Sequence, residues 1–387
     1  MINRIICSEN EKIVIIDNGK TQKLTSEFIN QYCSNHAQIV KKHSWKTEGY
    51  GAQFRHEQSS LTNEHIDSLH AMARITGISS NGHDEIIYSV TVGDTSGVFR
   101  RSIAVEGIDN EGHILHDRQL KIFDIASNSD GRIAFSVINK NGEQNIAICK
   151  KGTSQYNEIT EGISIDRNPC WDPGDPDILL FDSAPAGFYS SGQRVVYSRS
   201  IMKINLVTSE LEELFANDNY DLVNPQIDDA GNIWCIRRPY KPVRNAMSLL
   251  EIFLIPYRLG VAIFRAIEFF TIKNTGKPLI TSGPNPAKSQ SVPEDMMYDN
   301  IRIEAQKNYK ENLKYDNQFA GYIPGSWELI SISKDKNITV KAKGVCTYRV
   351  ISHDRFIYSN GNYLFDVTDN KKVKVSDIHF PASIIVI

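Results

Sequence analysis

The sequence predicts an all-β protein, a propeller of about six blades, each a four-stranded antiparallel sheet. Three observations carry that prediction. The first is the stretch Ser164 to Phe215. It opens with a Pro/Gly/Asp turn cluster (Asn168 to Asp175), then gives apolar or alternating runs at Ile178–Phe181, Arg194–Ser198, Ile201–Leu206 and Leu211–Phe215. Four short strands separated by turn residues leave no room for a parallel crossover helix. The second is that this grammar recurs along the chain, which favours a propeller over a sandwich. The third lies at the ends. Phe380 to Ile387 reads as a strand without a sheet of its own, and the N-terminal hairpin lacks an innermost strand. If the C-terminal strand completes the N-terminal blade, no sheet edge stays open.

The elements follow in order. Glu11–Asp17 is a strand, Asn18-Gly19 is a type I′ turn signal, and Thr21–Leu24 returns antiparallel. Ser26 to His43 reads as a helix with Ser26 at the N-cap and Phe28, Ile29, Tyr32, Ile39 and Val40 roughly on one face. Together with the polar loop Arg55–His65 it forms a helix/loop insertion over 26–66. The next unit has strands at Glu85–Val92 and Val98–Glu106, then a turn at Asp109–Gly112 before His113–Leu115. A third runs through Ile122–Ala126, the turn Ser129-Asp130-Gly131, Arg132–Val137 and Asn145–Cys149. Ser164–Phe215 is the fourth. A fifth opens with Asn224–Ile227, turns at Asp228–Gly231, continues at Asn232–Ile236, and resumes at Trp327–Val340 after a long insertion. The last contains Cys346–Val350, Arg355–Tyr358, Tyr363–Phe365 and Lys372–Val375. The chain 1–387 is thus read as a single propeller domain carrying insertions.

Composition narrows the function. The 387 residues are 41% hydrophobic and 23% charged, ordinary for a globular protein. A net charge of −3 argues against broad phosphate-backbone binding, so nucleic acid is not an expected partner. The six cysteines are scattered with no CxxC pair, and reduced thiols are expected. The N-terminus shows no signal-peptide pattern, which predicts a cytoplasmic protein.

Pro169-Cys170-Trp171-Asp172-Pro173-Gly174 is similar to the P-x-W-[ST/D]-P-[DG]-G turn of TolB-like (WD40-like PD40) propeller repeats. Asn224 to Gly231 is a degenerate copy, and Ser127 to Gly131 a weaker one. TolB proteins are periplasmic, and without an export signal that role does not carry over. In overall look the chain also resembles the propeller component of bacterial MoxR–vWA–β-propeller ternary systems, which accompanies an AAA+ ATPase and a von Willebrand A protein. That resemblance implies a non-catalytic binding or scaffold subunit.

The insertion at 241–324 differs from the rest. Ala246 to Phe270 is strongly apolar and rich in helix formers, with a break at Pro256. Glu251, Arg258 and Arg265 recur every seven residues and align as one narrow polar stripe. Ser282–Asp295 reads as an exposed Pro/Ser-rich loop. Three readings stand: helices packed on the propeller's own face, a docking surface for a protein partner, or an interfacial membrane contact. The charges interrupt the segment well before the ~20 apolar residues a span needs. Basic residues gather just ahead of it. Arg237, Arg238, Lys241 and Arg244, beside Tyr240, are either an anion clamp or a solvated strand end. With Tyr257, Phe264, Phe269 and Phe270 they make up the expected partner contact.

No nucleotide-binding loop, nucleophile elbow or HExxH motif occurs, so no catalytic residues and no cofactor are assigned. Asp172, Asp175 and Asp177 resemble a Ca²⁺ loop in spacing, but Pro173, Gly174 and Pro176 make turn formation the better reading, and no metal is assigned. The expected function is protein recognition or scaffolding in a cytoplasmic bacterial assembly. The alternative is an enzyme or small-ligand binder using the central channel, and peripheral membrane attachment comes third.

Overall fold

The computed structural model describes residues 4–44, 72–82, 84–103, 111–118, 120–140, 142–188, 194–241, 296–299 and 301–387. The chain divides into two compact units, one made of Met1–Tyr240 with Lys307–Ile387, the other of Lys241–Gln306.

The first unit is a succession of antiparallel four-strand meanders. β1 (Ile5–Glu9), β2 (Lys12–Asp17) and β3 (Lys20–Thr25) come first. Asn18 and Gly19 both take positive φ, 49° and 76°, as the type I′ reading requires. α1 (Glu27–Ser44) follows, with Ile29 and Cys33 buried one turn apart. Next come β4 (Arg74–Ser80), β5 (Glu85–Val92), β6 (Thr95–Ser102) and β7 (Glu111–Asp117). β8 (Lys121–Ser127), β9 (Ile133–Ile138), β10 (Gln144–Cys149) and β11 (Tyr156–Glu158) form the next meander.

β12 (Ile165–Trp171) and β13 (Ile178–Ala184) follow, and β14 (Ala186–Phe188) and β15 (Arg194–Val196) make a separate two-stranded hairpin. β16 (Ser200–Asn205) and β17 (Leu211–Phe215) then complete the β12–β13 meander. A single parallel pairing, Gln144 with Ile165, merges these two meanders into one eight-stranded sheet. β18 (Tyr220–Ile227) and β19 (Ile233–Pro239) begin another sheet. β20 (Met296–Tyr298) pairs with β21 (Ile301–Ile303), and α2 (Ala305–Asn312) follows. β22 (Glu328–Ile332) and β23 (Ile338–Lys343) finish the sheet that β18 and β19 began. β24 (Thr347–Val350), β25 (Arg355–Ser359), β26 (Tyr363–Thr368) and β27 (Lys371–Asp377) make the last meander. β28 (Ile384–Val386) then pairs with β1, Ile5 opposite Val386 and Cys7 opposite Ile384.

The leading strands lie against one another in succession. β28 packs on β4, β4 on β8, β8 on β12, β12 on β18, β18 on β24, and β24 on β28. The sheets behind them meet through apolar seams. Ile13, Ile86, Tyr88 and Phe99 fill the seam under α1, Leu179 and Phe181 meet Ala134 and Ile146, and Ile357 and Leu364 meet Cys7 and Val14. Contact is close where β4 meets β8: a Cβ on Gly77 would lie 2.6 Å from the Ile125 nitrogen, so only glycine fits.

Two details depart from the sequence reading. The Asn168–Asp175 cluster is not all turn, because Asn168 to Trp171 belong to β12. Asn168 adopts φ 52° at a register shift, as do Asp124 (φ 47°) in β8 and Asn224 (φ 56°) in β18. These bulges admit the prolines that follow Asn168 and Asn224, since a bulge needs no ladder N–H there. Consequently Arg194–Ser198 is not a strand of the main sheet. Its first three residues form β15, and β12 takes the vacated place. Likewise Ser26 is not the side-chain cap of α1. Glu111, placed in a turn by the sequence, is in β7, and its carboxylate accepts the Glu27 and Phe28 N–H groups at 2.9 Å each.

Candidate functional site

The leading strands line a cavity of about 260 Å³. Its wall is polar because leading strands face the cavity with one side and the neighbouring sheets with the other. Most of the wall's polar groups join one strand to the next. Thr76 donates to the Ile122 carbonyl at 2.9 Å, and Ser127 N–H donates to Ser79 Oγ at 2.8 Å. Gln226 donates to the Tyr348 carbonyl at 2.8 Å and accepts the Val350 N–H at 2.9 Å. Tyr348 OH donates to the Asn224 carbonyl at 2.6 Å, and Ser383 Oγ to the Ile78 carbonyl at 3.1 Å.

Behind the wall lies a buried charge. Asp182 is wholly inaccessible. It accepts Asn168 Nδ2 at 2.6 Å, Asn224 N–H at 2.9 Å and the Arg199 guanidinium. One carboxylate therefore holds two leading strands through their bulge residues.

Two charged side chains line the cavity, Asp124 and Arg349. Asp124 is neutralised by a bidentate pair with Arg167, at 2.7 and 2.9 Å. Arg349, on β24, is exposed and makes no ion pair with any described residue. Cys170 shares the wall, where burial pushes its thiol up and the charge of Arg349 pulls it back. Among the described residues no group of His, Cys, Asp or Glu is placed to hold a metal ion.

A larger cleft of about 650 Å³ lies beside α2, bounded by Asn312, Tyr315, Phe319, Gly344 and Lys372. Size alone would rank it first. Its lysines, however, are already engaged: Lys372 with Asp316 at 2.7 Å, and Lys343 with Glu328 at 3.3 Å. The smaller cavity holds an unpaired positive charge, Arg349, which makes it the better candidate for an anionic ligand.

The residues that sequence reading nominated fall elsewhere. Arg237 pairs with Glu328 at 2.5 Å and covers the Tyr220 ring, and the buried Arg238 pairs with Asp221 at 3.3 Å and covers Trp327. Both are cross-strand ion pairs, one on each face of β19. They form neither a free anion clamp nor a solvated strand end. Tyr240 donates its hydroxyl to the Val196 carbonyl at 2.8 Å. Lys241 is exposed. Arg244, Tyr257, Phe264, Phe269 and Phe270 lie outside the described residues, as do most of the 26–66 and 241–324 insertions. Asp172 and Asp175 accept N–H groups of their own turn, and Asp177 accepts Arg132 at 2.9 Å. The first two contacts are turn chemistry, and the third is an ion pair to the turn before β9. Among the described residues, no helix is long and apolar enough to cross a membrane.

No protein-family model matches the chain, and no curated protein matches its sequence. Solved structures do. TolB from Acinetobacter baumannii matches at 9% identity and a TM-score of 0.50, covering 99% of this chain and 66% of that one. A putative TolB from Agrobacterium tumefaciens matches at 7% identity and 0.48, covering 100% and 97%. A protein from Lactobacillus plantarum matches at 9% and 0.39, covering 100% of each. Identities this low bear on the fold, and the chain has a TolB-like β-propeller fold. It spans slightly under two thirds of the Acinetobacter protein.

Proposed function

We propose that this chain is a non-catalytic recognition subunit, a closed six-bladed ring that binds protein partners in a cytoplasmic multiprotein assembly. The observation that carries the reading is the continuity of β19 with β22. Ile233 to Arg237 pair residue for residue with Ile332 to Glu328, across the point where the chain leaves and returns. The sheet is complete without the intervening segment, and Lys241–Gln306 form a compact unit of their own. A long apolar segment that its sheet does not need is best accounted for by a partner. On this reading the contact runs from Lys241 through Arg244, Tyr257, Phe264, Phe269 and Phe270. An AAA+ ATPase and a von Willebrand A protein are the first partners to try.

The ring reading is supported by the succession of leading strands and by the β28–β1 pairing. Six meanders joined in that order need no further strand.

The test is affinity purification from the native host of the tagged full chain and of a variant lacking 245–275, both checked for a cooperative melt. A stoichiometric partner held by the full chain and lost from the folded variant is the expected result. A partner held equally by both removes the contact from this segment. No partner in either sample overturns the recognition reading.

A further inference from the structure

We propose that the cavity lined by the leading strands binds a small carboxylate, with Arg349 as its charge partner. This is independent of the protein contact proposed above, which lies on a different part of the chain.

The argument is one of charge accounting. Two charged side chains line the cavity. Asp124 is satisfied by both guanidinium nitrogens that Arg167 presents to it. Arg349 faces the same space without a carboxylate among the described residues, leaving the wall with one uncompensated positive charge. Among the described residues Arg199, Arg237, Arg238 and Arg355 each face a carboxylate: Asp182, Glu328, Asp221 and Asp366. The exposed Arg349 faces none, and an anion in the cavity would supply one.

The wall also indicates which anion. A guanidinium fork matches a carboxylate bidentately. The lining comes from strands and their bulges, and among the described residues no helix N-terminus belongs to it, so the usual supplement to a phosphate site is lacking there. Positive charge disfavours a metal ion. Small-molecule pockets run from about 300 Å³ upward, and at about 260 Å³ this cavity suits a short-chain acid. The Asn224 side-chain amide, at the bulge of β18, also lines the space and has no partner among the described residues, so it offers a neutral donor beside the charge.

The experiment is isothermal titration calorimetry on the full chain at low salt, with succinate as probe and inorganic phosphate and uncharged succinamide as comparisons. Succinate is expected to bind and succinamide not. Arg349→Gln is expected to weaken succinate binding about tenfold or more, and Arg349→Lys to weaken it less. Arg349 is exposed, so both variants are expected to melt as the wild type does; if the glutamine variant does not fold, the lysine variant carries the comparison. Absence of succinate binding, binding equal in the wild type and either variant, or tighter binding of phosphate than of succinate overturns the proposal.

Discussion

Two seams of the propeller are built on opposite principles. Where β12 and β13 meet β18, the seam is sewn by charge. Asp182, wholly buried, gathers Arg199, Asn168 and the Asn224 N–H, while Asp221 takes the Arg199 N–H and the Arg238 side chain. Where the β1–β3 sheet meets the β4–β7 sheet, Ile13, Ile15, Ile29, Ile86, Tyr88 and Phe99 pack into an apolar seam. Its main polar device is Glu111, which caps α1 and accepts the Tyr88 hydroxyl. The charged seam specifies geometry, because every donor has one place to go. The apolar seam supplies burial and tolerates small errors of shape. Loss of one member therefore differs in kind: the first seam is left with an uncompensated charge, the second with a void.

The largest effect is expected at the hub. Asp182→Ala takes from Arg199 its hub carboxylate and leaves two donors without their acceptor, and should cost about 3–5 kcal/mol in urea unfolding. A loss below about 1 kcal/mol would show that water reaches the hub. Ile86→Ala in the apolar seam should cost about 2–4 kcal/mol, and Ile86→Val at the same site about 1 kcal/mol. A graded series is the signature of a cavity term; equal losses would argue against it. Glu111→Gln keeps the side chain's size but removes the charge at the start of α1, and should cost about 1 kcal/mol with reduced helical ellipticity.

A fourth effect is read against pH. Burial pushes the Asp228 carboxyl up, but the Trp234 indole, the Asn232 side chain and the Asn232 and Ala230 N–H groups outweigh it, and the net shift is downward. A carboxyl lowered in the folded state stabilises above the ordinary carboxylate range and loses that contribution as pH falls through its folded value. Asp228→Asn should therefore be less stable than wild type at neutral pH and lose less between pH 5 and 3. Parallel acid limbs would contradict the assignment.

Much of this fold is legible in the sequence. Alternation and turn chemistry place most strands, Asn18-Gly19 fixes its hairpin, and the orphan strand near Ile384 points back to the N-terminus. The failures share a cause. Asn168 and Asn224 read as turn formers, yet a bulge uses the same left-handed backbone inside a strand. Asn is therefore an ambiguous signal in each case. Glu111 reads as part of a turn, because nothing local reveals that its partner is the start of α1. The cavity is invisible for the same reason: six strands spread from Thr76 to Ser383 each contribute a few residues. Arg349 looks like one charged position in an ordinary strand until the fold brings Asp124 and Arg167 into view. The cluster at Arg237 and Arg238 misled in the opposite direction. Basic residues adjacent in sequence point to opposite faces of β19, and each finds its own carboxylate.

The ring's closure is tested most directly by native-state hydrogen exchange at the chain ends. The amides of Ser8 and Ile387 donate to Ser383 and Arg4 across the β28–β1 pairing, at 3.2 and 3.0 Å. If that pairing closes the ring, the amides of Ser8 and Ile387 are protected as strongly as those of β2 and exchange only with global unfolding. Fast exchange at Ser8 and Ile387 while β2 stays protected would contradict closure and leave the propeller an open array.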